Sequence, residues 1–369
     1  MPPALHICYI GDARSIHVQR WALFFVKRGH RVSILTDEGA EIPGVDVYNI
    51  GDCMAPVHVP VLSALSQIIK KSLMMKKLVR HIQPDIVHGH YATNYGFLAA
   101  STGFQPLIQT VHGSDVLVDA AGSREQRWFV RRALKKAVLI TAVTEQMKKR
   151  VIDMGIPSDR VIMHQYGVDT TVFTPAAEEP AVKRRYRIVS TRVLEWKYNV
   201  QHLVRAAPGI RDRVPEAEIV LAGDGPDRDE LATMIDDLHV GDTVSMVGRV
   251  QHDAVPAFLQ SATVYVSTSI TDGTSLSLLE AMASGVFPIV TDIPGNREWI
   301  TDGENGFLVA VDDVDALVDR IARVFEQPDL RGRVIANNLE LVRQHGDYTT
   351  NMTLMERTYL RISHRDSAH

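Results

Sequence analysis

The sequence predicts an α/β protein of two successive domains, each a doubly wound parallel sheet, and three observations carry that prediction. Short β-branched runs alternate with helix-length segments almost from end to end. The alternation breaks once, in a stretch rich in proline, alanine and charge, and then restarts. A length of 369 residues is too great for one ordinary core and suits about two.

The first series opens with LHICYIG (5–11), an amphipathic stretch through Lys27, and RVSILT (31–36). It continues through DIVHGH (85–90), PLIQTVHG (106–113), AVLITAV (137–143) and VIMHQYG (161–167). Strands this apolar are expected to be covered on both faces. TPAAEEPAVKRRYR (174–187) reads as the interdomain linker. The second series is RIVSTR (187–192), EIVLAG (218–223), VSMVG (244–248), TVYVSTS (263–269), FPIVTD (287–292) and GFLVAV (306–311). The last fifty residues read as helical, and a terminal helix could pack back across the linker. Doubly wound domains bind ligands at the carboxyl ends of their strands.

Composition narrows the function. Hydrophobic residues at 45%, charged residues at 23% and no membrane-length apolar run describe a soluble globular protein. MPPALHICYIGDARS lacks a basic leader region, so neither signal peptide nor anchor is expected, and a reducing cytoplasm is the default. Cys8 and Cys53 form no CxxC, which argues against a disulfide framework and a zinc knuckle. Residues 1–175 hold 20 basic against 14 acidic side chains and the remainder 20 against 30, so the halves differ in sign and suggest separate tasks. A pI near 6.4 and no binding motif make nucleic acid a poor partner.

GDGPDRDEL (223–231) follows a strand but has Arg228 where a dinucleotide fingerprint has its third glycine, so a plain strand-to-helix turn is preferred to an NAD site. No P-loop is present. TDGTSLSLLEAMASG (271–285) is more specific: Gly273, Thr274 and Ser275 precede a helix expected over about 276–284, whose free N–H groups and positive dipole end suit an anion. An ordinary helix capped by Thr274 or Ser275 is the alternative. Asp272 and Glu280 also invite a glycosidase reading; eight helical steps would rise about 12 Å and set the two acids on separate turns, whereas a loop at Asp272 would shorten the separation, so geometry alone leaves this reading open. His88 and His90 lack an evident third ligand, so no metal site is expected.

The same segment resembles the E-x7-E region of the family-4 retaining glycosyltransferases of the GT-B fold, with Asp272 and Glu280 on its acidic positions. TVHGSDV (110–116) is similar to the family's HGxD loop and STRVLEWK (190–197) to its R-x4-K; PDIVHGH (84–90), GDGP (223–226) and GNREWITDGENGFLV (295–309) also fit, in order, over nearly the whole chain. The resemblance implies two Rossmann-like domains facing a central cleft: residues 1–173 on the acceptor side, a linker at 174–186, a nucleotide-sugar domain at 187–347, and a helix of about 348–369 returning to the first domain. It implies that Arg192 and Lys197 grip the donor diphosphate and that Glu280 binds the ribose. The amides of Gly273, Thr274, Ser275 and Leu276 would face sugar and phosphate, with Gly11 and Gly223 at strand-end turns beside the donor. His112 would lie by the transferred sugar and Asp272 near its hydroxyls. Arg14, His17, His90 and Asp115 fall on the acceptor side, where Asp115 either stabilises its loop or meets the acceptor. Two departures stand out: Asp272 replaces the usual first glutamate, and Tyr198 stands where the family often has glycine.

SREQRWFVRRALKKAVL (123–139) sets Arg124, Arg127, Arg131 and Lys135 on one helical arc with Trp128. Such a face is a solvated surface in the simpler reading, or it rests on anionic lipid, each basic residue contributing about 1 kcal/mol. The activity that the resemblance implies is metal-independent, cofactor-free transfer of a sugar from a nucleoside diphosphate, UDP favoured, to a glycan or glycolipid hydroxyl with retention, and it is expected in the cytoplasm or at the inner membrane face. An epimerase or hydrolase of the same fold and a non-catalytic nucleotide-sugar-binding regulator are the alternatives.

Overall fold

The computed structural model describes residues 3–51, 60–113, 115–116, 124–176 and 186–366. Most of the linker expected at 174–186, residues 177–185, lies outside them. The chain divides into two compact units, Met1–Gln165 with Met352–His369, and Tyr166–Asn351.

The first unit is built on seven parallel strands: β1 His6–Ile10, β2 Arg31–Thr36, β3 Val45–Asn49, β4 Ile86–His90, β5 Leu107–Val111, β6 Leu139–Ala142 and β7 Val161–Met163, in the order β3-β2-β1-β4-β5-β6-β7. Every residue of β4 and β5 is buried, as expected of strands covered on both faces. β3 is not among the strands expected from the sequence. It is an edge strand, VDVYN, none of whose residues is fully buried, so its apolar signal is weak. Helix Ile16–Lys27 follows β1 and buries Trp21, Ala22 and Phe25 completely. The strand order reverses between β1 and β4, the kind of position at which doubly wound sheets bind ligands, and Gly11 and His90 lie at the carboxyl ends of these two strands.

The second unit has six parallel strands: β8 Arg187–Ser190, β9 Glu218–Leu221, β10 Val244–Met246, β11 Val264–Ser267, β12 Phe287–Thr291 and β13 Phe307–Val309, in the order β10-β9-β8-β11-β12-β13. Its core is two-sided because successive side chains of a strand point to opposite faces. Ile188, Ile219, Val264 and Ile289 join one cluster, while their neighbours Val189, Val220, Tyr265 and Val290 join the other. Here the order reverses between β8 and β11.

The unit boundary falls earlier than residue 174. Val168 N–H donates to the Gly346 carbonyl at 2.7 Å and Tyr348 N–H to the Val168 carbonyl at 2.9 Å, while Val168 and Phe173 are buried in the second unit's core. These non-local contacts claim the segment for that unit. Helix Tyr348–Asp366 is shared out by the division, with its residues from Met352 onward belonging to the first unit. There the buried Glu356 accepts from Arg28 Nη2 at 2.7 Å and lies 2.9 Å from His30 Nε2.

Candidate active site

In the second unit the site is assembled at the reversal between β8 and β11. Arg192, two residues past β8, is buried, with its guanidinium pinned by residues about eighty positions away. Nη1 donates to Ser275 Oγ at 2.8 Å and Ser277 Oγ at 2.9 Å, and Nη2 donates to Asp272 Oδ2 at 2.6 Å. Nε is buried with no hydrogen-bond partner among the described residues. The Tyr198 ring lies 4.0 Å from Cζ. Burial opposes the charge, but Asp272, Tyr265 and Tyr198 outweigh it, and the Arg192 pKa is raised.

The turn carrying Lys197, Trp196–Tyr198, is a single 3₁₀ turn that ends on Asn199 in the left-handed region, φ 46°. Ile270 N–H donates to the Lys197 carbonyl at 2.9 Å and Thr268 Oγ1 to the Asn199 carbonyl at 2.8 Å, tying this turn to the loop after β11. Lys197 Nζ lies 3.0 Å from Glu195 Oε2 and 5.0 Å from the Tyr198 ring centroid. The Glu195 hydrogen bond, with Tyr198, raises its pKa against burial and the nearby Arg192 charge.

Glycines let these loops meet. A Cβ on Gly223 would strike the Arg192 carbonyl, one on Gly225 the Leu194 carbonyl, and one on Gly295 the Gly273 carbonyl. The backbone joins them further, Leu194 N–H donating to the Asp224 carbonyl at 3.1 Å. Helix Leu276–Ala283 starts at Ser275, whose Oγ caps the Leu278 N–H. Ser275 therefore caps the helix, as the capped-helix alternative expects, and also holds Arg192. Glu280 lies half-buried on this helix, eight residues after Asp272. Ser277, absent from the sequence-based set, accepts from Arg192 and lies 2.8 Å from the Tyr265 hydroxyl. Its only sequence signal is a second serine at the helix start.

In the first unit a histidine cluster surrounds the carboxyl ends of β4 and β5. A Cβ on Gly11 would lie 3.2 Å from Val18 Cγ2 and 3.3 Å from His90 Cβ, so glycine lets the β1 turn pass His90. His90 Nδ1 is 3.1 Å from His112 Nε2, while His90 Nε2 is buried with no hydrogen-bond partner among the described residues. His17 packs near His112, ring centroids 5.7 Å apart, and Tyr91 stacks on it at 4.2 Å. Tyr91 holds a left-handed φ of 66°, unusual for an aromatic residue, and nothing in the sequence marks it. Burial, reinforced by the neighbouring histidines, drives the His90 and His112 pKa values well below the usual range, leaving both neutral near pH 7. Among the described residues no three His, Cys, Asp or Glu side chains gather as a metal-binding group.

Asp115 points inward and is fully buried. Its carboxylate accepts from the amides of Ala92 at 2.8 Å, Gly113 at 2.9 Å, Val116 at 3.1 Å and His112 at 3.2 Å. This is the geometry of the loop-stabilising alternative. Arg14 is more than half exposed and pairs with Asp12 and Glu38.

Residues 175–340 match the profile of the glycosyl transferases group 1, and residues 6–144 that of the glycosyl transferase 4-like proteins. The chain belongs to the family-4 glycosyltransferases and has the GT-B fold. This glycosyltransferase is 25% identical to a phosphatidyl-myo-inositol mannosyltransferase of Mycolicibacterium smegmatis, over 94% of this chain and 89% of that protein. It is 22% identical to a phosphatidylinositol N-acetylglucosaminyltransferase protein of Arabidopsis thaliana, over 99% and 84%. Anabaena HepE, solved with UDP and glucose, has the same fold: TM-score 0.76 at 17% identity, covering 96% of this chain and 99% of that one.

Proposed function

We propose that this glycosyltransferase moves a sugar from a nucleoside diphosphate, UDP in the first instance, to a hydroxyl of a glycan or glycolipid, retaining the anomeric configuration and needing no metal ion. The observation that carries the reading is Arg192: a buried guanidinium at the strand-order reversal, fastened to the start of helix Leu276–Ala283, with Lys197 five residues on. Such a cation is expensive to bury, and a departing diphosphate is an anion it would stabilise. In this reading Arg192, Lys197 and the amides from Gly273 to Leu276 meet the leaving charge, and Glu280 accepts from the ribose hydroxyls. Asp272 orients Arg192 and lies by the sugar. The leaving phosphate oxygen takes the acceptor proton on the same face, so no protein nucleophile is required. His112, neutral, borders the sugar, while Arg14, His17 and His90 fall on the acceptor side. HepE's UDP supports uridine as the base, and two relatives with phosphatidylinositol or phosphatidyl-myo-inositol in their names support a lipid-linked acceptor.

The test is a turnover screen of nucleotide sugars with and without chelator. Lys197→Ala should cut turnover by orders of magnitude with modest loss of donor affinity, and Glu280→Ala should weaken nucleotide binding. Near-native transfer by the lysine variant, or dependence on added divalent ion, would overturn the assignment.

We further propose that the enzyme works at the cytoplasmic membrane face. No helix among the described residues is long and apolar enough to cross a membrane. On helix Arg124–Leu134 and just beyond it, Arg127, Arg131 and Lys135 are exposed, as are Trp128 and Phe129, while Val130 and Ala133 face inward; the Arg124 side chain lies outside the described residues. An amphipathic aromatic beside basic side chains suits an anionic lipid surface. Sedimentation should be stronger with acidic than with neutral liposomes, and equal recovery would dismiss the contact.

A further inference from the structure

Tyr198 sits where the two cations of the site converge. Arg192 Cζ lies 4.0 Å and Lys197 Nζ 5.0 Å from the centroid of its ring. Both distances fall within the range in which an aromatic face attracts a cation. The ring is itself held: Tyr198 ends the 3₁₀ turn and packs against the second unit's core. Two like charges kept close repel each other, and their counter-ions here differ. Arg192 has Asp272 and two hydroxyls, whereas Lys197 has Glu195. The aromatic ring is shared by both cations, and it offers negative potential without competing as an anion for the position a phosphate would take.

We infer that Tyr198 is a positioning residue whose ring holds Arg192 and Lys197 ready for the diphosphate. The inference rests on the proposed donor site and adds a specific device to it. A glycine at 198 would leave the guanidinium face and the ammonium without this support, so the aromatic residue is a determinant of diphosphate affinity in this chain.

The experiment measures binding of UDP, GDP, ADP and dTDP, and of the four corresponding nucleosides, to the full-length enzyme by calorimetry. Tyr198→Leu should weaken the bound diphosphate about tenfold, a cation–aromatic effect, while nucleoside affinity stays unchanged; Tyr198→Phe should restore diphosphate binding. To separate the electrostatic role from packing, mono-, di- and trifluorinated phenylalanine are placed at 198, which draws charge from the ring at nearly constant shape. Affinity for the diphosphate should fall with each fluorine. A flat fluorine series, an equal loss for nucleoside and diphosphate, or a Phe variant as weak as Leu would overturn the inference alone. Failure of the native enzyme to bind any of the four diphosphates would overturn the proposed function and this inference with it.

Discussion

Asp115 illustrates how one side chain can organise a loop. Burial raises its pKa while four amide hydrogen bonds act in the opposite direction, the balance expected of a carboxylate turned inward as an acceptor. Asparagine offers one acceptor oxygen and would turn N–H donors towards backbone N–H groups. Asp115→Asn should therefore destabilise the protein by roughly 2–3 kcal/mol, the cost of leaving buried donors unpaired. Thermal melting would register the loss, and hydrogen exchange should quicken at the amides of Ala92, His112, Gly113 and Val116. Unchanged exchange there would contradict the geometry. Arg192 makes a related point in the other unit, where three oxygens and an aromatic face fix one guanidinium. Lysine could not reproduce that fork.

At the scale of elements, the proposed donor site depends on turns that touch through glycine. Gly223 follows β9, and any side chain there would push on the Arg192 carbonyl. Gly332 is the contrast, exposed within helix Pro328–Leu341 with nothing near its missing Cβ. Gly223→Ala should reduce nucleoside diphosphate binding, whereas Gly332→Ala should raise stability by about 0.5–1 kcal/mol through helix propensity. Isothermal binding and thermal melts of the two variants check both signs. Equal, small effects would mean that the β8 and β9 turns accommodate each other more freely than their contacts indicate.

For the molecule as a whole, the histidine cluster makes stability depend on pH. His88, His90 and His112 are held well below the ordinary range, His17 is lowered, and His164 is lowered to about 4, in each case chiefly by burial. His88, His90 and His164 pack with Trp21, and the cluster reaches the C-terminal helix, where the Tyr359 hydroxyl is hydrogen-bonded to His88 Nδ1. The unfolded chain takes up these protons near pH 6.5 and the folded chain only at lower pH. Their contribution is therefore present above about pH 6.5 and is lost as pH falls towards 4 for His164. Glu356, lowered by its Arg28 and His30 partners despite burial, loses its share in the same direction as it becomes protonated. Melting curves between about pH 7.5 and 4.5 should fall steadily. A flat profile would show that the histidines already charge in the folded state.

Much is legible in the sequence because it is local. Strands announce themselves as short β-branched or apolar runs alternating with helix-length segments, and all six strands of the second sheet and six of the seven in the first are readable that way. Only β3 escapes, an edge strand without a fully buried residue. Glycines and cations at strand ends are likewise visible as spacings. What the spacings could not contain is partnership: that Asp272 and Ser277 hold Arg192 across some eighty residues, that Asp115 turns inward to four amides, and that Val168 pairs beside Gly346 and so moves the unit boundary. Hydrogen-bond partners are chosen by proximity in space, and proximity between distant segments exists only once the sheets have formed. Sequence by itself determined the two-sheet architecture and where its charged loops fall; tertiary structure decided what each charge meets.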